Sequence, residues 1–115
     1  LTLRHERLAD KLNAYVDDNI KAPMTTDQLA SHFHISRTRL YELTCQDLGM
    51  GIARFILMKR LEKAKVLLTT TPRSIARISD EVGFADPAYF ARVFRNEYKL
   101  SPSEYRARYG DVIYT

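Results

Sequence analysis

Apolar residues recur along this chain with the period of an α-helix and nowhere with the alternation of a strand. Leu8, Leu12, Tyr15, Val16 and Ile20 fall at i, i+4, i+7, i+8 and i+12, which predicts a first helix ended by Pro23. Thr26 is placed to cap a helix running to about Phe33, with Asp27 favourable in its first turn. Ser36 starts the next helix, expected over 37–46, which buries Leu40 and Leu43 and breaks at Gly49-Met50-Gly51. A long helix over 52–69 carries Ile52, Phe55, Ile56, Leu61, Ala64 and Leu68 on its apolar positions, and Thr69-Thr70-Thr71-Pro72 stops it. Ser74 then opens a helix that buries Ile75, Ile78 and Val82, and Gly83 ends it where a left-handed backbone is easiest. Asp86-Pro87 is an N-cap followed by proline at the first helical position, ahead of a helix burying Phe90, Val93, Phe94 and, further on, Tyr98. Ser101-Pro102 repeats that signal for a short last helix holding Tyr105.

Within this succession one pattern occurs twice, about fifty residues apart. Leu29-Ala30 and Ile78-Ser79 are apolar-small pairs; each is followed by an apolar residue (Phe33, Val82), a turn, an anchor (Ile35, Phe84) and a polar cap before a second amphipathic helix. That is a helix-turn-helix pattern, and one such unit reads one major groove of DNA. Two on one polypeptide can read two grooves without dimerising. The expected fold is all-α: seven helices, with a first helix-turn-helix subdomain over 8–50, a linker helix over 51–70 and a second subdomain over 73–109. Each subdomain is expected to be a homeodomain-like three-helix unit. The linker, at roughly 1.5 Å per residue, spans about 27 Å. Successive grooves lie about 34 Å apart, so a bound duplex is expected to bend or one unit to dock imperfectly.

The residues facing away from the packed side of each second helix are the base-contact candidates. On the first they are Arg37, Thr38, Tyr41, Glu42 and Cys45. Arg37 can reach guanine or a phosphate, Glu42 can accept from cytosine N4, and Thr38 or Tyr41 can pack on a thymine methyl. Glu42 has a plainer reading as the partner of Arg39 or Arg37 in a surface ion pair. On the second helix they are Ala88, Ala91 and Arg92, with Arg95 a turn further on at a phosphate. Two alanines offer only apolar contact, so this unit is expected to contribute more positioning and less base specificity than the first. Ser36, Arg39, Lys59, Arg60, Arg95 and Arg106 are the phosphate-contact candidates.

Net charge sharpens this picture through its placement. The total is +4, and residues 51–72 carry Arg54, Lys59, Arg60, Lys63 and Lys65 against Glu62 alone. The flanking stretches are nearly balanced, with six basic against seven acidic residues before and seven against six after. A solvated helix face explains such an excess equally well in isolation; between two helix-turn-helix units the polyanion reading is favoured. The single cysteine, Cys45, cannot form an internal disulfide and fits a reducing cytoplasm. No apolar run is long enough to cross a bilayer, and no secretory signal opens the chain. A chain starting at Leu1 reads as a fragment of a longer protein.

These residues resemble the AraC/XylS family of bacterial transcription regulators. The resemblance rests on Ile75 to Phe84, Tyr89-Phe90, Arg92, Phe94-Arg95 and Ser101-Pro102-Ser103-Glu104-Tyr105-Arg106, with Phe55-Ile56, Arg60-Leu61, Ala64 and Leu67-Leu68 in the linker. It runs from about Leu8 to Arg108. It implies a domain that occupies two adjacent major grooves of promoter DNA and activates transcription by touching RNA polymerase, as the C-terminal output part of a ligand- or signal-responsive protein. No cofactor is implied, and any oligomerisation would come through an N-terminal domain. Three positions depart from the family pattern. Ser79 replaces a core alanine. Lys99 replaces a glycine, predicting a looser turn. Thr44 replaces a bulky apolar residue, predicting weaker packing behind the first reading face.

Competing classes find less support. His5, His32 and His34 are the only histidines and lack cysteine or carboxylate partners at ligand spacing, so no metal site is expected. No Gly-rich phosphate loop or nucleophile motif suggests an enzyme, and Cys45 has no evident base beside it. RNA binding would need aromatics that the core requires. A helical protein-interaction module without DNA binding is the main alternative, since the first helix surface (Arg4, Glu6, Arg7, Asp10, Lys11) is charged without bias.

Overall fold

The computed structural model describes residues 7–110; Arg4, His5 and Glu6 lie outside the described residues. Among the described residues there are seven helices and no strand: α1 Leu8–Asp18, α2 Thr26–His32, α3 Arg37–Leu48, α4 Ile52–Thr70, α5 Ile75–Glu81, α6 Pro87–Tyr98 and α7 Pro102–Tyr109. They form two compact units, and the division falls inside α4, between Lys59 and Arg60. Each unit contains part of the long helix.

The first unit packs α3 on α1 and α2. Its core is aliphatic, with Leu12, Val16, Leu29 and Leu40 fully buried beside Ile20, Ala30, Ile52, Phe55 and Ile56. Helix α1 ends at Asp18 and not at Pro23. Asn19 terminates it earlier, because its backbone N–H and its side-chain amide both donate to the Tyr15 carbonyl, the latter at 2.8 Å. Ile20 still reaches the core, from the turn beyond the helix. The cap of α2 is Thr25 and not Thr26: its hydroxyl accepts from Gln28 N, and the Gln28 side chain accepts from Thr25 N, a reciprocal capping box. Helix α3 runs on to Leu48. Thr44 is buried and Leu43 only half-buried, since four residues along a helix bring a side chain closer to the Leu40 meridian than three do.

The second unit uses the latter half of α4 with α5, α6 and α7. Leu61, Ala64, Leu68, Ile78, Val82, Phe84, Phe90 and Phe94 are buried, while Ile75, Val93 and Tyr98 are half-buried. Its aromatic rings form a continuous chain: Phe84 to Phe90, Phe94, Tyr98 and Tyr105 at centroid separations of 4.8–5.7 Å. Tyr98 donates to Glu62 Oε1 at 3.0 Å and lies under Lys65 Nζ at 4.5 Å, pinning α6 to α4. Burial and then the Glu62 carboxylate push the Tyr98 phenol well above its usual range.

The same turn closes both helix pairs. His34 and Gly83 adopt left-handed backbone, at φ 58° and 99°. His34 N donates to Ser31 O and Ile35 N to Ala30 O; Gly83 N donates to Asp80 O and Phe84 N to Ser79 O. This is the Schellman arrangement, which satisfies the last carbonyls of α2 and α5 and aims the chain into the following helix.

Candidate nucleic-acid interface

Each second helix begins at a side-chain cap that leaves its first turn at the surface. Ser36 Oγ accepts from Arg39 N at 3.0 Å, and Asp86 Oδ1 accepts from Ala88 N at 3.0 Å. Leu40 and Thr44 anchor the inner side of α3, and Phe90 and Phe94 that of α6. The outer sides then follow from helical geometry.

On α3, Arg37, Thr38, Tyr41 and Glu42 are all exposed, and Cys45 is half-buried. Arg37 pairs with Asp27 at 3.2 Å. Both side chains of the pair are more than 70% exposed, so the ion pair is weak and easily exchanged for a phosphate or base. The Tyr41 ring is 60% exposed yet positioned: a Cβ on Gly51 would sit 3.3 Å from its Cε1, so the missing side chain there lets the ring lie against the start of α4. Cys45, one turn on, hydrogen-bonds the Tyr41 hydroxyl and raises its pKa. Thr44 is buried behind this face, and its hydroxyl donates to Tyr41 O at 3.0 Å within the helix. Arg37, Thr38 and Tyr41 border an open groove of about 760 Å³ with Thr26, Gly51, Ile52, Ala53 and Arg54.

On α6, Ala88 and Arg92 are exposed and Ala91 half-buried. The Arg92 guanidinium lies 5.2 Å from the centroid of the Tyr89 ring. Tyr89 remains 43% exposed and packs 6.1 Å from Phe84 on its other side. In the sequence Tyr89 stands only within the motif, and its i, i+3 spacing to Arg92 is the signal that links the two. Arg95 pairs with Glu104 at 3.4 Å.

Several expected phosphate contacts are otherwise engaged. Arg106, expected at a phosphate, is held within its own unit: its Nε donates to Leu68 O at 3.0 Å and its NH2 to Thr71 O at 3.1 Å. It closes the C-terminal end of α4, where free carbonyls and the helix dipole favour a cation. The hydroxyls of Thr69, Thr70 and Thr71 bond back to Lys65 O, Val66 O and Leu67 O in the same stretch. Lys59 pairs with Asp17 at 2.7 Å and Lys65 with Glu62 at 3.5 Å, and burial lowers the pKa of the Arg60 guanidinium. Lys59 and Lys65 of α4 are thus ion-paired within their own units, while Arg54 and Lys63 are exposed. Of the six phosphate candidates Arg39 and Arg95 stay exposed, Arg95 beside Glu104, and Ser36 is exposed while serving as a cap.

Among the described residues no group of histidine, cysteine and carboxylate side chains could hold a metal ion, and no helix is long and apolar enough to cross a membrane.

With two capped, outward-facing second helices in place, comparison with known proteins is direct. Residues 29–108 match the helix-turn-helix domain family of this type. This chain belongs to the AraC/XylS family. It is 37% identical over 94 residues to the arabinose operon regulatory protein of Escherichia coli, covering 81% of this chain and 32% of that protein. An AraC-type transcriptional regulator from Chromobacterium violaceum superposes with a TM-score of 0.81 at 32% identity, covering 87% of this chain and 89% of that one. The C-terminal domain of a response regulator from Geobacillus stearothermophilus gives 0.87 at 26% identity, covering 97% and 93%. The chain spans about a third of the length of the curated relatives it matches. It is a DNA-binding domain of the transcription-regulator type.

Proposed function

We propose that this domain binds double-stranded promoter DNA in a sequence-specific manner, with α3 and α6 entering two adjacent major grooves. The observation that carries this reading is the exposed outer side of both second helices. Thr38, Tyr41 and Glu42 with Arg37 face outward on α3, and Arg92 with Ala88 and Ala91 does so on α6. Cys45 stands at the margin of the α3 set, supporting Tyr41. Arg39 and, after exchange of Glu104, Arg95 meet phosphates, while Ser36 contributes through its capped helix terminus. Lys59 and Arg60 contribute to the field around the duplex more than to direct contacts.

The domain serves as the C-terminal output part of a longer, signal-responsive bacterial regulator. It activates transcription through contact with RNA polymerase in the cytoplasm, at the nucleoid. Oligomerisation resides in a preceding domain, and no catalytic step is involved.

Selection of sites from random duplexes, followed by affinity measurement across salt, tests the reading. A selected site with two half-elements about one helical turn apart, bound with steep salt dependence, is expected. Salt-insensitive association, or none with any duplex, would favour a helical protein-interaction module. Alanine substitution at Thr38 and Glu42 is expected to relax more base positions than substitution at Arg92; equal losses would remove the division of labour between the units.

A further inference from the structure

We propose that Tyr89 is a positioning residue for Arg92, holding the guanidinium ready to select guanine in the groove served by α6. The inference rests on α6 being a reading helix, as above. Its basis is the way each outward arginine is held. Arg95 is held by Glu104 and Arg37 by Asp27, carboxylates that use the in-plane N–H donors. Those donors are the ones a guanine O6/N7 pair would need, so each such arginine must release its partner before it can read a base. Arg92 is held differently. Its guanidinium carbon lies over the Tyr89 ring, 5.2 Å from the centroid, and a ring face is not an in-plane acceptor of the carboxylate kind that the edge donors must release.

The ring itself is fixed. Tyr89 stands on the first turns of α6, behind the Asp86 cap and Pro87, and packs against the buried Phe84. A guanidinium held over the ring therefore loses less rotamer freedom on binding and has no carboxylate to release. Four of the side chains that flank it outward on the helix are Ala88, Ala91, Arg95 and Asn96, and none of them supplies a carboxylate. Tyr89 thus gives the α6 face a directional probe that small neighbours could not position.

The experiment measures binding to a site library with the whole domain and with Tyr89→Leu, Tyr89→Phe, Arg92→Ala and the Tyr89→Leu/Arg92→Ala double variant. Arg92→Ala is expected to lower the preference for guanine at one position by about tenfold or more. Tyr89→Leu should lower the preference at that same position by about three- to fivefold, with the salt dependence of binding unchanged. Tyr89→Phe, which keeps the ring face, should restore it to within about twofold. In the Arg92→Ala background Tyr89→Leu should change base preference no further. Tyr89→Gln provides the same reading if Tyr89→Leu does not fold. An unchanged preference in Tyr89→Leu, a loss spread evenly over all positions, or equal damage from Tyr89→Phe would overturn the proposal. Arg92→Ala without effect on any position would instead overturn the assignment of Arg92, and the role of Tyr89 with it.

Discussion

The two units solve one design with different materials. Behind the reading helix the first unit places Leu40 and Thr44; the second places Phe90 and Phe94, with rings continuing to Tyr98 and Tyr105. In front of it the first offers a polar, chemically mixed face and the second a sparse one centred on Arg92. Core and exposed face therefore lie on opposite sides of the same helix, and on the proposed function fold and specificity can vary independently. The backbone shows the same freedom. Both units need a left-handed residue in the turn and another after the reading helix. The first uses His34 then Gly49, and the second Gly83 then Lys99.

The largest test of this contrast lies in the cores. Phe94→Ala should destabilise the second unit by about 3–5 kcal/mol, because it opens a cavity in the aromatic chain. Thr44→Ala, at the matching place, should cost only about 1–2 kcal/mol for a lost methyl and a local hydrogen bond. Denaturant titration followed by amide signals from each unit separates the two. Comparable losses would show that the cores are equivalent despite their composition.

Arg106→Ala comes next. Two charge-assisted bonds to the Leu68 and Thr71 carbonyls are removed, and a loss of about 1.5–3 kcal/mol is expected, confined to the second unit. The salt slope of DNA binding should stay the same. A slope reduced by about one unit with stability intact would restore Arg106 to the phosphate contacts.

Arg106 also marks where the sequence could be read and where it could not. Helices, caps such as Ser36, Ser74 and Asp86, and the buried apolar positions were legible because helical period and capping chemistry are local. What escaped was decided by partners distant in sequence. Nothing near Arg106 announces a carbonyl thirty-eight residues away, and nothing near Lys59 announces Asp17. A count of cations along α4 does not say which of them already have an acidic neighbour, as Lys59 and Lys65 do. Thr44 and Leu43 exchanged roles for a smaller reason, since one residue of helical phase decides which side chain enters the core. Lys99, expected to loosen its turn, instead takes φ 66° with its N–H on Arg95 O at 2.8 Å and its ammonium on Asn96 O at 2.9 Å.

That last position makes an exchange possible. Lys99→Gly should stabilise by about 0.5–1 kcal/mol by relieving a left-handed non-glycine residue. Gly49→Lys should destabilise by a similar amount, and cleanly, because a Cβ at Gly49 meets nothing within 4 Å. Ser79 and Ala30 offer a second exchange. The Ser79 hydroxyl is buried without a hydrogen-bond partner among the described residues, so Ser79→Ala should stabilise by about 1 kcal/mol. Ala30→Ser should cost about as much. Like signs in either exchange, measured by thermal unfolding, would break the correspondence between the units.

The smallest effect is acid sensitivity in the second unit. Glu81 accepts from Arg77 at 2.8 Å and Arg73 at 2.7 Å, and the Arg77 hydrogen bond, ahead of the charges of both arginines, holds its carboxyl below the usual 4.5. Glu104 is lowered first by the Ser101 backbone N–H of its capping box. A carboxyl with a depressed folded pKa contributes stability that is complete above its unfolded value and disappears as pH falls through the folded one. Both groups therefore protect the second unit at neutral pH and begin to lose that effect below about pH 4.5. Both are at the surface, so the contribution should be small and should shrink further in salt. The unfolding midpoint of the second unit, followed from about pH 6 to pH 3, should fall more steeply in the native chain than in a Glu81→Gln/Glu104→Gln variant. An identical slope in the two proteins would mean that acid acts on this unit through other groups.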